Sequence, residues 1–246
     1  MVDAPPASVP EVVARLRRVE AAGPAGDGVG CFARLYREVT EGVDAALAGQ
    51  EYADPRFLER LDLTFAGLFF AALDAQEHAP ASVPPAWAPL FAARATHGIA
   101  PLQFALAGMN AHINRDLPVA LVATCMELGP DLGERSPEHA DFERVNALLD
   151  QVEARLKAGY LTGALGLLDR LVHRFHRLDD IVAMWDVRRA RDAAWANAQT
   201  LWALRAQPPL HDRFLVTLDR MVGMAGRGLL IPADSLAGRL ARRLHP

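Results

Sequence analysis

The sequence predicts an all-α fold: a single-domain bundle of about nine or ten helices, spanning 1–246, around one central kinked helix. Apolar residues recur at i, i+3, i+4 and i+7 from Val12 to Leu244, and nothing alternates with period two for long enough to make a strand. Glycine- and proline-rich stretches such as Gly23 to Gly30, Pro80 to Pro85 and Pro208-Pro209 separate these periodic segments. The third observation is bulk: with 246 residues, 51% hydrophobic and 23% charged, the chain can bury one large core.

The elements follow in order. After a Pro/Ala/Ser opening, expected to be loose over 1–9, an amphipathic helix from Pro10 to Ala22 turns Val12, Val13, Leu16 and Val19 inward. Gly23 to Gly30 reads as a glycine-rich loop, because no strand precedes it as a nucleotide-binding turn would require. Cys31 to Leu47 is the next helix. Asp54-Pro55 then supplies a capping carboxylate and an N1 proline for a helix to Gln76, whose inner stripe is Leu58, Asp62, Phe65, Phe69 and Leu73. Trp87, Leu90, Phe91 and Arg94 form a further inner face. Pro101 starts the central helix, which ends at Gly129 and is followed by a polar loop to His139. Phe142 to Leu156, a glycine-rich piece from Leu161 to His173, a long helix from about Leu178 to Leu204, Leu210 to Met224 and Asp234 to Leu244 complete the chain. In the long helix Ile181, Trp185, Arg188, Asp192, Trp195, Gln199 and Trp202 are expected to share one stripe.

Charge and composition exclude several classes. A net charge of -4, with basic residues spread among acids, argues against a nucleic-acid partner. Cys31 and Cys125 sit in apolar helical patterns, which suits reduced thiols and a cytoplasmic location. No membrane span is expected, since no apolar run approaches ~20 residues, and no secretion signal, since Met1 to Pro10 lack a basic start and an apolar core.

The densest polar group lies inside the most apolar helix. From Asn110 to Asp116, His112 and Asp116 stack on one face while Asn110 and Asn114 stack on nearly the opposite one. Pro118 gives no N–H to the Asn114 carbonyl and disfavours helix at Leu117, so a kink is expected there. Asp62, Arg94, His112, Asp116, Arg188 and Asp192 all fall on apolar faces and should find partners across the bundle. One reading is an ionic network that fixes helix register. The other is a pocket in which His112, Asp116, Asp62, Arg188 and Asp192 carry acid/base chemistry, while Asn110, Asn114, Arg94, Trp185, Trp195, Phe65 and Phe69 hold a small, largely apolar organic molecule.

A metal reading stands beside these. His112-x-x-x-Asp116 and His176-x-x-x-Asp180 have the one-turn spacing that lets two ligands reach zinc or another divalent ion. In this the chain resembles the all-helical zinc-dependent phospholipases C, although it has too few histidines placed on helices for their ligand set. A second resemblance covers more of the chain. Asn110-Ala111-His112-Ile113-Asn114-x-Asp116-Leu117-Pro118, Leu61-Asp62-x-x-Phe65-Ala66 and Arg188-x-x-Arg191-Asp192-x-Ala194-Trp195 resemble an uncharacterised helical family, a domain of unknown function common in actinobacteria. Such genomes are rich in biosynthetic clusters, and the arginine-rich, lysine-poor composition agrees with that source. The functions left open are a cofactor-free hydrolase, lyase or cyclase, a metal-dependent hydrolase, and a non-catalytic carrier of an apolar ligand, with a homodimer also open.

Overall fold

Local chemistry sets where the helices begin. The computed structural model describes residues 4–47, 52–146, 149 and 186–232, and every regular element among them is helical. Helix α1, Val9–Ala22, starts where the Ser8 hydroxyl accepts the Glu11 N–H at 3.4 Å. Helix α2, Gly28–Leu47, begins inside the stretch expected to be loop. The reason is Asp27, whose Oδ1 accepts the N–H groups of Val29 and Gly30, each at 3.0 Å, and so starts the helix early. Helix α3, Pro55–His78, opens as expected on Asp54, which accepts the Phe57 N–H at 3.0 Å.

A 3₁₀ turn, Pro80–Ser82, leads to the short α4, Ala88–Ala93, and then to the central segment. That segment is α5, Pro101–Ala111, a π turn, His112–Asp116, and α6, Leu117–Leu128, closed by Gly129 at φ +93°. Residues 137–146 are helical and are called α7 here. Helix α8, Val187–Leu204, is capped by Asp186, and α9, Pro208–Leu229, follows it. The expected helices over 161–173 and 234–244, and the expected start of the long helix before 186, lie outside the described residues.

The central segment is the core of the bundle. Helices α2, α3, α8 and α9 all pack on it, and Gln103 to Ala111 are buried without interruption. Close approach of α2 depends on Gly108, where a Cβ would collide with the Phe32 ring. The expected kink takes a specific form: the Leu117 N–H bonds to the His112 carbonyl, five residues back, which widens one turn. Leu117 stays helical, and Pro118 falls in the first turn of α6, where its missing N–H is not needed. Among the described residues no helix is long and apolar enough to cross a membrane, and Cys31 and Cys125 are free thiols.

Candidate functional site

The widened turn projects His112 into a cavity of about 460 Å³ between α2, α3, α7, α8 and the central segment. Its walls are mostly apolar, with Val39, Val43, Leu58, Ile113 and Leu117 among them. The imidazole is 1% exposed and lies flat on Phe65, with ring centroids 3.5 Å apart and planes 7° apart. Tyr36 meets it edge-on at 4.5 Å. This aromatic enclosure strips water from the ring, and burial pushes the His112 pKa below its ordinary 6.5, against the hydrogen bond and charge of Asp116.

Asp116 is fixed by three donors. Its Oδ2 accepts from His112 Nδ1 at 3.2 Å and from Trp87 Nε1 at 3.0 Å, and its Oδ1 accepts from the Arg115 guanidinium at 2.9 Å. Arg115 in turn lies 3.5 Å from Asp219, which receives the Ala86 N–H at 2.7 Å. A carboxylate can only accept, so neutral His112 carries its proton on Nδ1 and keeps a lone pair on Nε2. That Nε2 is buried and has no hydrogen-bond partner. The arrangement is a base oriented by an anchored carboxylate.

Two more polar groups on the same cavity are buried and unpartnered, Tyr36 Oη and Asp62 Oδ2. Burial and the neighbouring Asp44 charge push Asp62 up from 3.8 to about 6, while Arg191 acts in the opposite direction. The Tyr36 phenol is held well above 10 by burial and then by the charges of Asp62 and Asp116, so it keeps its proton. Arg191 supplies the cation on the far wall. It lies over the Phe142 ring at 4.1 Å and its Nε donates to Asn146 Oδ1; burial lowers it to about 10, against the charges of Glu143, Asp192 and Asp62.

The structure brings together His112, Asp116, Asp62 and Phe65 of the residues singled out in the sequence, and it separates the others. Arg188 and Asp192 do not face the bundle: both are on the exposed side of α8, where Arg188 lies 3.5 Å from Glu143. The inner stripe of α8 is instead Val187, Arg191, Ala194, Trp195, Ala198 and Leu201. Arg94 also turns away, forming a two-pronged pair with Asp27 at 2.7 and 3.0 Å that ties α4 to the start of α2. Asn110 donates to the Val222 carbonyl at 2.9 Å and accepts from Asn114 at 3.2 Å, so this face docks α9 and does not line the cavity. Phe69 is fully buried beside Phe32 and Trp87, and Trp195 packs on Phe142; neither lines the cavity. Trp185, His176 and Asp180 lie outside the described residues.

Tyr36, Trp87 and Arg191 were placed on helices by the sequence but not assigned to a site. Helical spacing marks the faces of Tyr36, with Phe32, Val39 and Val43, of Trp87, with Leu90 and Phe91, and of Arg191, with Val187, Ala194 and Ala198, but spacing does not tell a site from packed core. In the alternative metal reading, the His112/Asp116 pair spends Nδ1 and both carboxylate oxygens on internal hydrogen bonds, so it does not offer two ligands to one ion. Among the described residues no three metal-ligating side chains converge.

An all-α bundle with a part-apolar cavity and one oriented histidine defines the class. Within it, a family model described as a family of unknown function, DUF5995, matches residues 9–232, and the chain belongs to that family. Comparison with curated proteins and with solved structures found no match.

Proposed function

We propose that the cavity is the active site of a small-molecule enzyme of hydrolase, lyase or cyclase type that works by proton transfer without a redox cofactor. One observation carries this reading: His112 Nε2 is buried on the cavity wall without a partner, while its other nitrogen is held by an anchored Asp116. Leaving such a group unpaired costs ~1–3 kcal/mol, which a purely structural role would not favour. In this scheme Nε2 takes a proton from substrate or from a water, and Asp116 stabilises the imidazolium that forms. The Tyr36 hydroxyl, or Asp62 when protonated, returns a proton to the leaving or rearranging atom. Bacterial secondary metabolism is the setting the family resemblance favours.

The test is a panel of small apolar esters, lactones and dehydratable hydroxy compounds, run with wild type and His112→Gln. A turned-over substrate should lose ~10²-fold or more in rate with His112→Gln, at an unchanged melting temperature. Equal turnover by the two proteins would contradict the reading. A carrier for an apolar ligand is the second reading, favoured by the apolar walls, and there His112→Gln would leave binding intact with no turnover to lose.

A further inference from the structure

Among the described residues, the polar atoms left open in the cavity are all acceptors or can act as one. Asp62 Oδ2 carries negative charge, His112 Nε2 carries a lone pair, and Tyr36 Oη has lone pairs besides its proton. Tyr36 and His112 are 4% and 1% exposed, so these are not surface groups whose partners are bulk water. At the rim, the exposed Asp44 and Glu59 add two more carboxylates. Among the described residues Arg191 is the cation on the cavity wall, and it is balanced by Glu143 and Asp192 on its outer side and bonded to Asn146. Asp62 thus presents an unpartnered carboxylate oxygen, and the Tyr36 and Phe65 rings stand with it on the cavity wall.

We infer that the cavity takes an apolar primary amine in its protonated form, with the ammonium on Asp62 and the Tyr36–His112 wall and the hydrocarbon part against Val39, Val43 and Ile113. An ammonium brings three donors and a positive charge to a site that offers acceptors, negative charge and aromatic faces. A carboxylate ligand would instead meet Asp62 and the Nε2 lone pair, both repulsive. The inference rests on the cavity being the binding site of the proposed enzyme and adds the substrate's charge to that reading.

Affinity for the amine should fall as pH drops through the Asp62 titration near 6, because the protonated acid loses its charge. Among the described residues, the groups that surround this titration are Tyr36 and Asp44 on α2, Glu59 on α3, Tyr52 before it, His112 on the π turn and Arg191 on α8. Protonation of His112, on the same acid side, works in the same direction.

Isothermal titration with octylamine, octanoate and 1-octanol tests the inference with probes of one length and three charges. At pH 7.5 octylamine should bind at least tenfold more tightly than 1-octanol, and octanoate more weakly than both. Asp62→Asn, checked for fold by its melting curve, should lose that tenfold preference and keep its affinity for 1-octanol. A tighter octanoate, an ammonium preference that survives Asp62→Asn, or binding of none of the three would overturn the inference. The two proposals fail separately: loss of the ammonium preference with His112-dependent turnover intact removes only the ligand class, and Asp62-dependent amine binding with turnover indifferent to His112 removes only the catalytic role.

Discussion

Asp62 is held in a state that works against stability. Folding raises its pKa from 3.8 to about 6, so the folded protein favours the protonated acid; that contribution is present below pH 4 and is lost as pH rises through 6. Asp62→Asn should therefore stabilise the protein at pH 8, by about 1–3 kcal/mol once the partial exposure of the side chain is allowed for, and hardly at all at pH 4. Thermal melts of both proteins across this range check it, and an Asn variant that is less stable at pH 8 would contradict it. His112 behaves in the opposite sense. Its folded pKa lies below 6.5, so its neutral form contributes fully above 6.5 and loses that contribution on acidification, and a turnover that needs the free base should fall off on the acid side at a pKa below 6.5. The His112/Asp116 pair was legible in the sequence because a one-turn spacing on an apolar helix leaves two polar groups little else to bond. Trp87 was not legible as the partner of Asp116, because their contact joins two elements and no local pattern encodes it.

At the scale of the element, the central segment carries the site because it is wide where the rest of the helix is regular. The π turn was readable only as a break: Pro118 announces a lost hydrogen bond, but whether the backbone kinks or widens depends on what packs around it. Helix α8 shows the opposite failure. Three tryptophans at Trp185, Trp195 and Trp202 suggest a stripe with a coiled-coil repeat, and that stripe takes Arg188 and Asp192 inward. The inner face of α8 instead runs through Val187, Arg191, Ala194, Trp195, Ala198 and Leu201, which keeps Trp195 inside, puts Arg191 in the cavity and leaves Trp202 half-buried. Ala194 and Ala198 are fully buried on this face, and small side chains leave a weak periodic signal beside tryptophans. The same geometry makes Gly108 sensitive: Gly108→Ala should cost ~1–3 kcal/mol by pushing α2 from the central helix, as read from urea denaturation, and an unchanged midpoint would contradict the packing described.

At the scale of the molecule, the helices are joined by buried polar contacts far apart in sequence. Asn110 docks α9, Gln103 bonds the Leu229 and Ile231 carbonyls at 2.8 and 3.1 Å, and Asp141 receives the N–H groups of Ala53 and Asp54 at 3.1 and 2.7 Å. The polar residues of the core thus divide between those that fasten helices and those left open. The open ones define the function proposed. The most direct measurement is a long-range proton–nitrogen NMR spectrum of the His112 imidazole, assigned by comparison with His112→Gln and followed from pH 8 to pH 4.5. The account requires a neutral ring at pH 7 with the proton on Nδ1 and a bare Nε2, titrating below 6.5. A proton on Nε2 of the neutral ring, or an imidazolium at pH 7, would contradict it.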